Sequence, residues 1–276
     1  MQILIVLACL VAAARLTAVE IIDDRVIESK LTEEGRKYID AGAGLRRDQL
    51  ADQLKRRECT VRLPRPARHP LTPSELYDQC RASVVIVGGI HKHSPSNKWE
   101  SIVSTAFAVA EPDIFATNCH VIDNTNAQIL VVMTHDQQVL PVTEILACSP
   151  TNDCALIRVA GLRLRPLPLR ANAPVGTAVN VIGHPERRFY TLTRGLVSRY
   201  YKPRAGGNEP GSLWMQITAE FAKGASGAPV LDDTGNATGI AARRTTFFNA
   251  TKDHRDVEII FQLCVPARNV LDLINP

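Results

Sequence analysis

The stretch from Phe221 to Asp233, FAKGASGAPVLDD, joins a turn of small residues to a short apolar run and an acidic pair. Gly224 and Gly227 flank Ser226, and glycine adopts backbone angles that other residues resist. Such a turn can aim successive backbone N–H groups at one point beside the serine hydroxyl. The stretch therefore predicts a tight turn that leads into a strand, although a G-x-S-G string alone is weak evidence for catalysis.

Short runs of the same texture fill the chain from about Ser83 onward, and Gly, Pro, Asn and Asp separate them. Many short strands at near-regular spacing predict an antiparallel sandwich or barrel. The segment PARNVLDLINP at the end of the chain predicts a short helix. The runs include SVVIVGGI, SIVSTAFAVA, DIFATNCHVI, CALIRVA, RGLVSRYY, APVLDD and EIIFQLCV.

The N-terminal third of the chain has a different composition. Residues 19–57 are charged, with apolar residues at helical spacing, and predict one or two helices interrupted near Gly42 and Gly44. A Pro- and Arg-rich linker follows. The segment LTPSELYDQCRAS then predicts a short helix, capped by Thr72 or Ser74 with Pro73 in its first turn. We divide the chain into residues 1–18, 19–70 and 71–276.

The first 18 residues resemble a secretory signal. The apolar run from Ile3 to Ala14 is too short to span a bilayer comfortably, and LTA at Leu16–Ala18 offers a cleavage site. No Lys or Arg precedes the run, so a buried N-terminal helix and an uncleaved anchor both stay open. We predict export, to the periplasm or the medium, with no stable membrane span after the signal is removed.

Charge and cysteine content narrow the partners. The net charge of +4 with no long basic block gives no reason to expect nucleic acid. Signal removal would leave six cysteines, which an exported protein could pair or keep as buried free thiols. Cys148 and Cys154 are close enough to staple one loop. Cysteine spacing does not match a zinc site, and we interpret the HKH segment as a solvated loop, so we expect no metal.

Three residues could act together. A serine at its ordinary pKa is a poor nucleophile and needs a base, which in turn needs an orienting partner. His120 lies in FATNCHVI, at the end of a strand-like run, and Asp153 precedes the run CALIRVA. Each alone favours a structural role. Together with Ser226 they occur in the order His, Asp, Ser, each beside a predicted strand, and this combination indicates one catalytic site.

The ordered motifs resemble those of trypsin-like serine endopeptidases, and the HtrA/DegP-type branch is most similar. The similar segments are TAFAVAEPDIFATNCHVI, TNDCALIRV, RGLVSRYY, ITAEFAKGASGAPVLDDTGNATGI and FQLCVPARNVLDLI, from about Arg81 to Ile274. The resemblance implies an all-β chymotrypsin-like fold of two six-stranded antiparallel barrels. A helical N-terminal extension and a short C-terminal helix would complete it.

The resemblance also implies a role for each residue of the site. Ser226 would be the nucleophile and His120 the general base and then the acid, while Asp153 would orient the imidazole. The backbone N–H groups of Gly224 and Ser226 would form the oxyanion hole. This chemistry needs neither a metal nor an organic cofactor.

Substrate binding is implied in less detail. The strand Ala241, Ala242 and Arg243 would pair with the substrate backbone by β-augmentation. Glu220, six residues before the serine, would lie at the base of the specificity pocket and favour a basic P1 side chain through a charge-assisted pair. Arg243 and Arg244 could instead neutralise Glu220 or block the pocket, and Glu220 could be a surface acid.

The sequence departs from the family at several positions. IVGG at Ile86–Gly89 resembles the new N-terminus of activated digestive relatives, but Val85 offers no basic cleavage site, and Ala225 replaces the aspartate that would pair with the new ammonium. We therefore expect an ordinary first strand and no such zymogen switch. Cys119 replaces an alanine, and we expect a small buried hydrophobe there. Ala228 replaces a glycine, which puts the oxyanion-hole geometry in question.

The expected function is an exported serine endopeptidase that hydrolyses peptide bonds in protein or peptide substrates. The PDZ domains of the HtrA branch have no counterpart in the motifs, so we do not carry over their regulation. A non-hydrolytic binder or chaperone of unfolded polypeptides is the alternative. In a third hypothesis the N-terminal extension docks a partner and the protease acts only in that complex. The oligomeric state stays open.

Overall fold

The computed structural model describes residues 20–45, 47–123, 126–203, 213–250 and 255–275. The predicted signal, residues 1–18, lies outside the described residues, and the division of the chain into three segments stays a prediction. Among the described residues, no helix is both long and apolar enough to cross a membrane.

The N-terminal extension contains two helices, as predicted. Helix α1 (Asp24–Asp40) begins at Asp23, whose side chain accepts hydrogen bonds from the first-turn backbone, and it ends just before Gly42. Helix α2 (Arg47–Gln53) follows the second glycine. The buried face of α1 carries Ile27 and Leu31, which pack in one cluster with Ile86 and Ile90 of the neighbouring sheet. Helix α1 is therefore part of the folded body.

The linker leads into helix α3 (Pro73–Cys80), which begins as predicted. The Thr72 hydroxyl accepts from the Glu75 backbone N–H, and the Glu75 carboxylate accepts from the Thr72 backbone N–H in return. These hydrogen bonds to Thr72 lower the pKa of Glu75. Thr72, and not Ser74, is the cap. Before α3, β1 (Cys59–Thr60) pairs in parallel with β15 (Ile274–Asn275).

The first β-unit is a seven-stranded antiparallel sheet, where six strands were expected. The extra strand arises because the chain turns back at Thr134–Gln138 and adds a three-residue strand at the sheet edge. The sheet order is β6-β5-β2-β3-β4-β8-β7. The strands are β2 (Val84–Lys92), β3 (Trp99–Ala110), β4 (Ile114–Thr117), β5 (Ile129–Met133), β6 (Val139–Pro141), β7 (Glu144–Ser149) and β8 (Cys154–Arg158).

The IVGG segment is the middle of β2. Ile86–Gly89 pair with β3 on one side and β5 on the other, and Ile86 is fully buried. A chain end at Ile86 would interrupt this paired strand. The expectation of an ordinary first strand is confirmed.

The second β-unit is a closed six-stranded barrel, as predicted, in the order β10-β11-β14-β13-β12-β9. Its buried Trp214 and Leu263 share one apolar cluster with Val84, Phe107 and Leu156 of the first sheet. The two β-units thus pack on a common core. The strands are β9 (Ala178–Gly183), β10 (Thr191–Tyr201), β11 (Trp214–Ile217), β12 (Pro229–Asp232), β13 (Ala237–Ala250) and β14 (Arg255–Pro266), and helix α5 (Ala267–Leu271) follows as predicted.

The cysteine pairing differs from the sequence-based expectation. Cys148 is bonded to Cys119 and not to Cys154, and the two bonded residues have Cα atoms 5.9 Å apart. Cys119 is thus neither a free nucleophile nor a simple buried hydrophobe. Cys154 is free, and its thiol donates to the carbonyl of Asn269. The bond ties the short helix α4 (Cys119–Ile122) to β7, two elements that sequence distance alone does not relate.

Candidate active site

The three predicted residues lie on short connections where the two β-units meet. His120 is on α4, directly after β4, and Asp153 ends the turn between β7 and β8. Ser226 lies between β11 and β12 of the barrel, in the segment that we call the serine loop, residues 221–228. The first unit therefore supplies the imidazole and the carboxylate, and the second supplies the hydroxyl.

His120 and Asp153 form a closely held pair. The two carboxylate oxygens lie 2.8 and 2.9 Å from His120 Nδ1, and one of them also accepts from the His120 backbone N–H at 3.0 Å. The Asp153 side chain is 4% exposed and that of His120 is 42% exposed. A carboxylate that faces Nδ1 favours the tautomer with the proton on that nitrogen, which leaves Nε2 as the basic atom.

Asn118 supports this pair and was not singled out by the sequence. Its side-chain amide donates to the backbone carbonyl of Asp153 at 2.8 Å, and the residue is fully buried. Asp153 itself has φ of +50°, a backbone conformation that side chains rarely adopt. The buried hydrogen bond from Asn118 helps to hold that conformation. A polar residue two positions before His120 was the available signal.

The serine loop is docked on the first sheet. The Thr105 backbone N–H donates to the Ser226 carbonyl at 2.8 Å, and the Thr105 hydroxyl donates to the Gly224 carbonyl at 2.9 Å. Thr117, the last residue of β4, donates in turn to the Thr105 carbonyl. These bonds bring the loop against the strand end from which the His120 helix starts.

The Ser226 hydroxyl has a different partner from the expected one. It donates to the backbone carbonyl of Ala242 at 3.2 Å, and no hydrogen bond between described residues joins it to His120. A rotation about the Cα–Cβ bond is the elementary movement that redirects a serine hydroxyl. The structure thus assembles the His–Asp link and leaves the Ser–His link open.

Both glycines of the serine loop are required by space as well as by backbone angle. Gly224 has φ of +98°, and a Cβ there would lie 2.3 Å from the His184 carbonyl oxygen. Gly227 has φ of +91°, and a Cβ there would lie 1.8 Å from the Thr105 carbonyl oxygen. Ala228, which replaces a glycine of the family pattern, is fully buried and is not a positive-φ residue. The turn therefore accepts the alanine without the strain in question.

The predicted oxyanion-hole donors are two N–H groups of the serine loop. In the described part of the chain, the backbone N–H groups of Gly224 and Ser226 enter no hydrogen bond. Their peptide partners are fixed: Glu186 N–H donates to the Lys223 carbonyl at 2.6 Å, and Ala228 N–H donates to the Ala225 carbonyl at 2.9 Å. Two N–H groups held in this way can receive an acceptor from outside the chain.

The predicted substrate strand needs one correction. The N–H and the carbonyl of Ala241 are both taken by the serine loop, through Ala228 and Gly227, each at 2.9 Å. Strand β12 pairs with β13 only as far as Ile240. The edge of β13 that can accept another strand therefore begins at Ala242, and Arg243 follows on it, with its guanidinium 5.9 Å from the Trp214 ring centroid.

Glu220 does not lie in an enclosed pocket. Its residue is exposed, and its backbone carbonyl accepts from the Thr193 hydroxyl at 2.7 Å. The acid is therefore accessible at the start of the serine loop, and its role toward substrate stays a prediction.

The sequence did not indicate a role for His184, which the structure places against the serine loop. The ring is fully buried, and its Nδ1 accepts from the Tyr190 backbone N–H at 3.1 Å. Burial lowers the pKa of His184 to about 3, so the ring is neutral at physiological pH. The His184 carbonyl lies against Gly224, so this histidine packs directly against the serine loop. The GHP segment alone gave no sign of this burial.

Comparisons with known proteins agree with this fold. The family model of the trypsin-like peptidase domain matches residues 104–240. The protein y4bJ of Sinorhizobium fredii is 30% identical over 152 residues, which are 55% of this chain and 23% of y4bJ. The serine protease homologue HhoA of Synechocystis sp. is 26% identical over 145 residues, which are 49% of this chain and 35% of HhoA. The chain thus spans about a quarter to a third of these relatives.

Solved structures give the same architecture. The HtrA-type protease AlgW with a tripeptide has a TM-score of 0.57 at 19% identity, over 73% of this chain and 62% of AlgW. An inactive form of Rv3671c from M. tuberculosis has a TM-score of 0.54 at 21% identity, over 76% of this chain and 94% of that chain. At these identities the likeness concerns the fold. The chain is thus a member of the chymotrypsin-like fold, and its residues 104–240 match the trypsin-like peptidase domain of serine-type endopeptidases.

Proposed function

We propose that this chain is a serine endopeptidase and that Ser226, His120 and Asp153 carry its chemistry. The observation that carries the proposal is the His120–Asp153 pair, hydrogen-bonded at 2.8 and 2.9 Å, together with a serine loop in which the N–H groups of Gly224 and Ser226 bond to no described residue. After the Ser226 hydroxyl turns from Ala242 to His120, Nε2 takes its proton while the oxygen attacks the peptide carbonyl.

The remaining steps follow from the same groups. The N–H groups of Gly224 and Ser226 stabilise the negative oxygen of the tetrahedral intermediate, and His120 returns its proton to the leaving amine. A water, deprotonated by His120, then hydrolyses the acyl-enzyme. The substrate backbone adds to the open edge of β13 from Ala242 onward, as in other β-augmentation complexes.

The test is labelling by a fluorophosphonate together with casein hydrolysis. We expect the wild type to react at Ser226 and to cleave casein, and Ser226→Ala and His120→Ala to lose both activities. Ser198→Ala, which removes a hydroxyl of β10 that donates to the Gln216 carbonyl of β11, is the matched control and should keep both. Absence of labelling and cleavage in the wild type would overturn the proposal.

One observation favours a second candidate, a non-hydrolytic binder of extended polypeptides. The Ser226 hydroxyl is engaged by the Ala242 carbonyl, and this arrangement leaves the nucleophile without its base. A binder would take the same β13 edge, would not react with the fluorophosphonate, and would bind extended peptides equally well as wild type and as Ser226→Ala. Labelling of the wild type decides between the two.

A mild preference for basic P1 residues belongs to the proposal. The support is the exposed carboxylate of Glu220 at the entrance to the serine loop. We expect a peptide-library profile to favour cleavage after Arg or Lys, and Glu220→Gln to reduce that preference while cleavage after other residues stays. A profile with no cleavage after basic residues would remove this part of the proposal.

Export also belongs to the proposal. The Cys119–Cys148 bond supports it, because disulfides persist in oxidising compartments and are rare in reducing ones. N-terminal sequencing of protein recovered outside the cytoplasm should show a mature start at residue 19. Full-length chain found only in the cytoplasm, with Cys119 alkylated as a free thiol, would argue against export.

A further inference from the structure

Helix α1 lies next to the loop from His184 to Tyr190, which connects β9 to β10, and this loop lies under the serine loop. We propose that Asp24 and Glu28 of α1 are positioning residues for the oxyanion hole, acting through the His184–Tyr190 loop. The inference rests on the proposed function, because it assigns a role in that chemistry to residues outside the site.

The first step is the contact between α1 and the loop. Asp24 accepts from the backbone N–H of Phe189 at 3.0 Å, and its other oxygen lies 3.7 Å from the Arg188 guanidinium. One turn further along the helix, Glu28 is hydrogen-bonded and ion-paired to Arg187. Two acids on one face of α1 thus meet two consecutive cations of the loop.

The backbone of the His184–Tyr190 loop is strained. Glu186, Arg187 and Tyr190 have φ of +46°, +59° and +57°, backbone conformations that non-glycine residues keep only when the surroundings impose them. Helix α1 is one part of these surroundings. Phe189 and Tyr190 are buried in the same cluster as Ile27 and Leu31.

Two further bonds anchor the loop from other sides. The Arg187 guanidinium donates to the Ser101 carbonyl at 2.7 Å, and the Tyr77 hydroxyl donates to the Tyr190 carbonyl at 3.0 Å. Arg187 therefore bridges α1 and the first sheet. Removal of Glu28 leaves this guanidinium with one anchor fewer at a position whose backbone is already strained.

The third step links the loop to the oxyanion hole. The Glu186 backbone N–H donates to the carbonyl of Lys223 at 2.6 Å. That carbonyl and the N–H of Gly224 belong to the same peptide group, and in a trans peptide they point in opposite directions. The bond to the Lys223 carbonyl therefore aims the Gly224 N–H away from the His184–Tyr190 loop. A loss of the Glu186 bond would allow this peptide to flip and remove one donor.

The chain of contacts gives a specific expectation for kinetics. Glu28→Arg places like charges together at Arg187, and Asp24→Ala removes the acceptor of the Phe189 N–H. We expect each to lower kcat about tenfold to a hundredfold with little change in KM, less than the ~10²–10³-fold loss on removing an oxyanion-hole donor outright. The rate of fluorophosphonate labelling at Ser226 should fall in parallel.

Charge exchange separates positioning from folding. The double variant Glu28→Arg with Arg187→Glu restores the opposite charges but not the bond to the Ser101 carbonyl, and we expect it to recover part of the kcat that Glu28→Arg loses. Glu34→Ala is the matched control on the same helix, because Glu34 pairs with Lys37 and not with the loop. It should leave kcat unchanged. Thermal unfolding of each variant confirms that the fold is kept.

Hydrogen exchange of the backbone gives a readout that needs no activity. We expect exchange in residues 221–228 to accelerate in Glu28→Arg and to return toward wild type in the double variant. Unchanged kcat to within about twofold and unchanged exchange in both Asp24→Ala and Glu28→Arg would overturn the inference. If the wild type neither labels nor cleaves, the proposed function fails, and the exchange result alone still decides whether α1 holds the serine loop.

Discussion

The His120–Asp153 pair and the serine loop lie on different β-units and are held in different ways. The pair is fixed by three hydrogen bonds within the first unit and by the buried amide of Asn118. The serine loop depends on groups from elsewhere, namely Thr105 on the first sheet and Glu186 on the loop after β9. The base is set by its own neighbourhood, whereas the nucleophile and its N–H donors are set by long-range contacts.

The largest effect should come from Asp153→Asn, which removes the carboxylate of the His120–Asp153 pair. An amide replaces one of the two carboxylate oxygens that face Nδ1 with an NH2 donor and carries no negative charge, so the ring loses its preferred tautomer and the partner of its charged form. By analogy with serine proteases in general, we expect kcat to fall about 10⁴-fold with the fold intact. Peptide hydrolysis and circular dichroism measure this.

The control for Asp153→Asn is Asp123→Asn, which changes an exposed carboxylate three residues after His120. It should keep nearly full activity. Equal activity of Asp153→Asn and wild type would mean that the pair is structural, and it would end the contrast between the two halves.

Gly227→Ala attacks the half that depends on long-range contacts. Its Cβ would meet the Thr105 carbonyl at 1.8 Å, so the serine loop must leave its place on the first sheet. We expect kcat to fall at least about 10²–10³-fold, the loss typical of one missing oxyanion-hole donor. Hydrogen exchange in residues 221–228 should rise, while residues 119–122 and 153–156 keep their protection.

Gly42→Ala is the control for that experiment, because Gly42 also has positive φ but open space around it. It should cost only about 1–2 kcal/mol of stability, without a change in kcat. If Gly227→Ala disturbs the His120 region as much as the serine loop, the two halves are not independent.

The disulfide separates the two regions because both of its cysteines lie in the first β-unit, which carries the His120–Asp153 pair. Cys119 and Cys148 are 29 residues apart, and opening a loop of that length should reduce the free energy of unfolding by about 3–4 kcal/mol. We expect Cys148→Ala to show this loss in urea, with kcat changed less than in Gly227→Ala. Cys59→Ser, which alters a free, partly buried thiol, is the control. A stability that does not differ from wild type would contradict the bond.

The smallest effect should be on the pH dependence of stability, through His184 next to the serine loop. Burial lowers the pKa of His184 from 6.5 to about 3. In the unfolded chain the His184 ring is protonated as the pH falls below 6.5. In the folded chain it stays neutral until the pH approaches about 3. This contribution to stability is complete above pH 6.5 and is lost as the pH falls through that window.

Thermal unfolding across this window tests the effect of His184. The melting temperature of His184→Gln should depend less steeply on acid pH than that of wild type, although the variant is less stable throughout. His69→Gln, at an exposed histidine, should follow the wild-type curve. Parallel curves for wild type and His184→Gln would show that the buried ring does not supply this acid sensitivity.

Local sequence signals predicted the elements, and non-local packing determined the rest. Thr72, Pro73 and the glycine pair after α1 define helix ends through contacts within a few residues, so the pattern revealed them. The alternating runs predicted strands, and the ordered motifs predicted which residues would meet. Pairing of Cys119 with Cys148 could not be predicted, because it depends on how β4 and β7 approach in space.

The same limit applies to the supports of the site. The burial of His184 and the contacts of α1 with the loop after β9 join segments about 160 residues apart, and no local pattern encodes them. The engagement of Ala241 by the serine loop also arises only in the folded barrel. The sequence therefore predicted the candidate catalytic residues but not the contacts that hold them in place.

The strand order has a practical consequence for anyone who would express the matched segment alone. Residues 104–240 omit β2, which lies between β3 and β5, and β14, which lies between β11 and β13. Such a fragment would lack a central strand of the first sheet, and its second unit could not close into a barrel. Apolar strands would then be exposed to solvent. Recombinant production trimmed to that segment should yield insoluble material, whereas material that starts before α1 and ends after β15 retains every strand that its neighbours require.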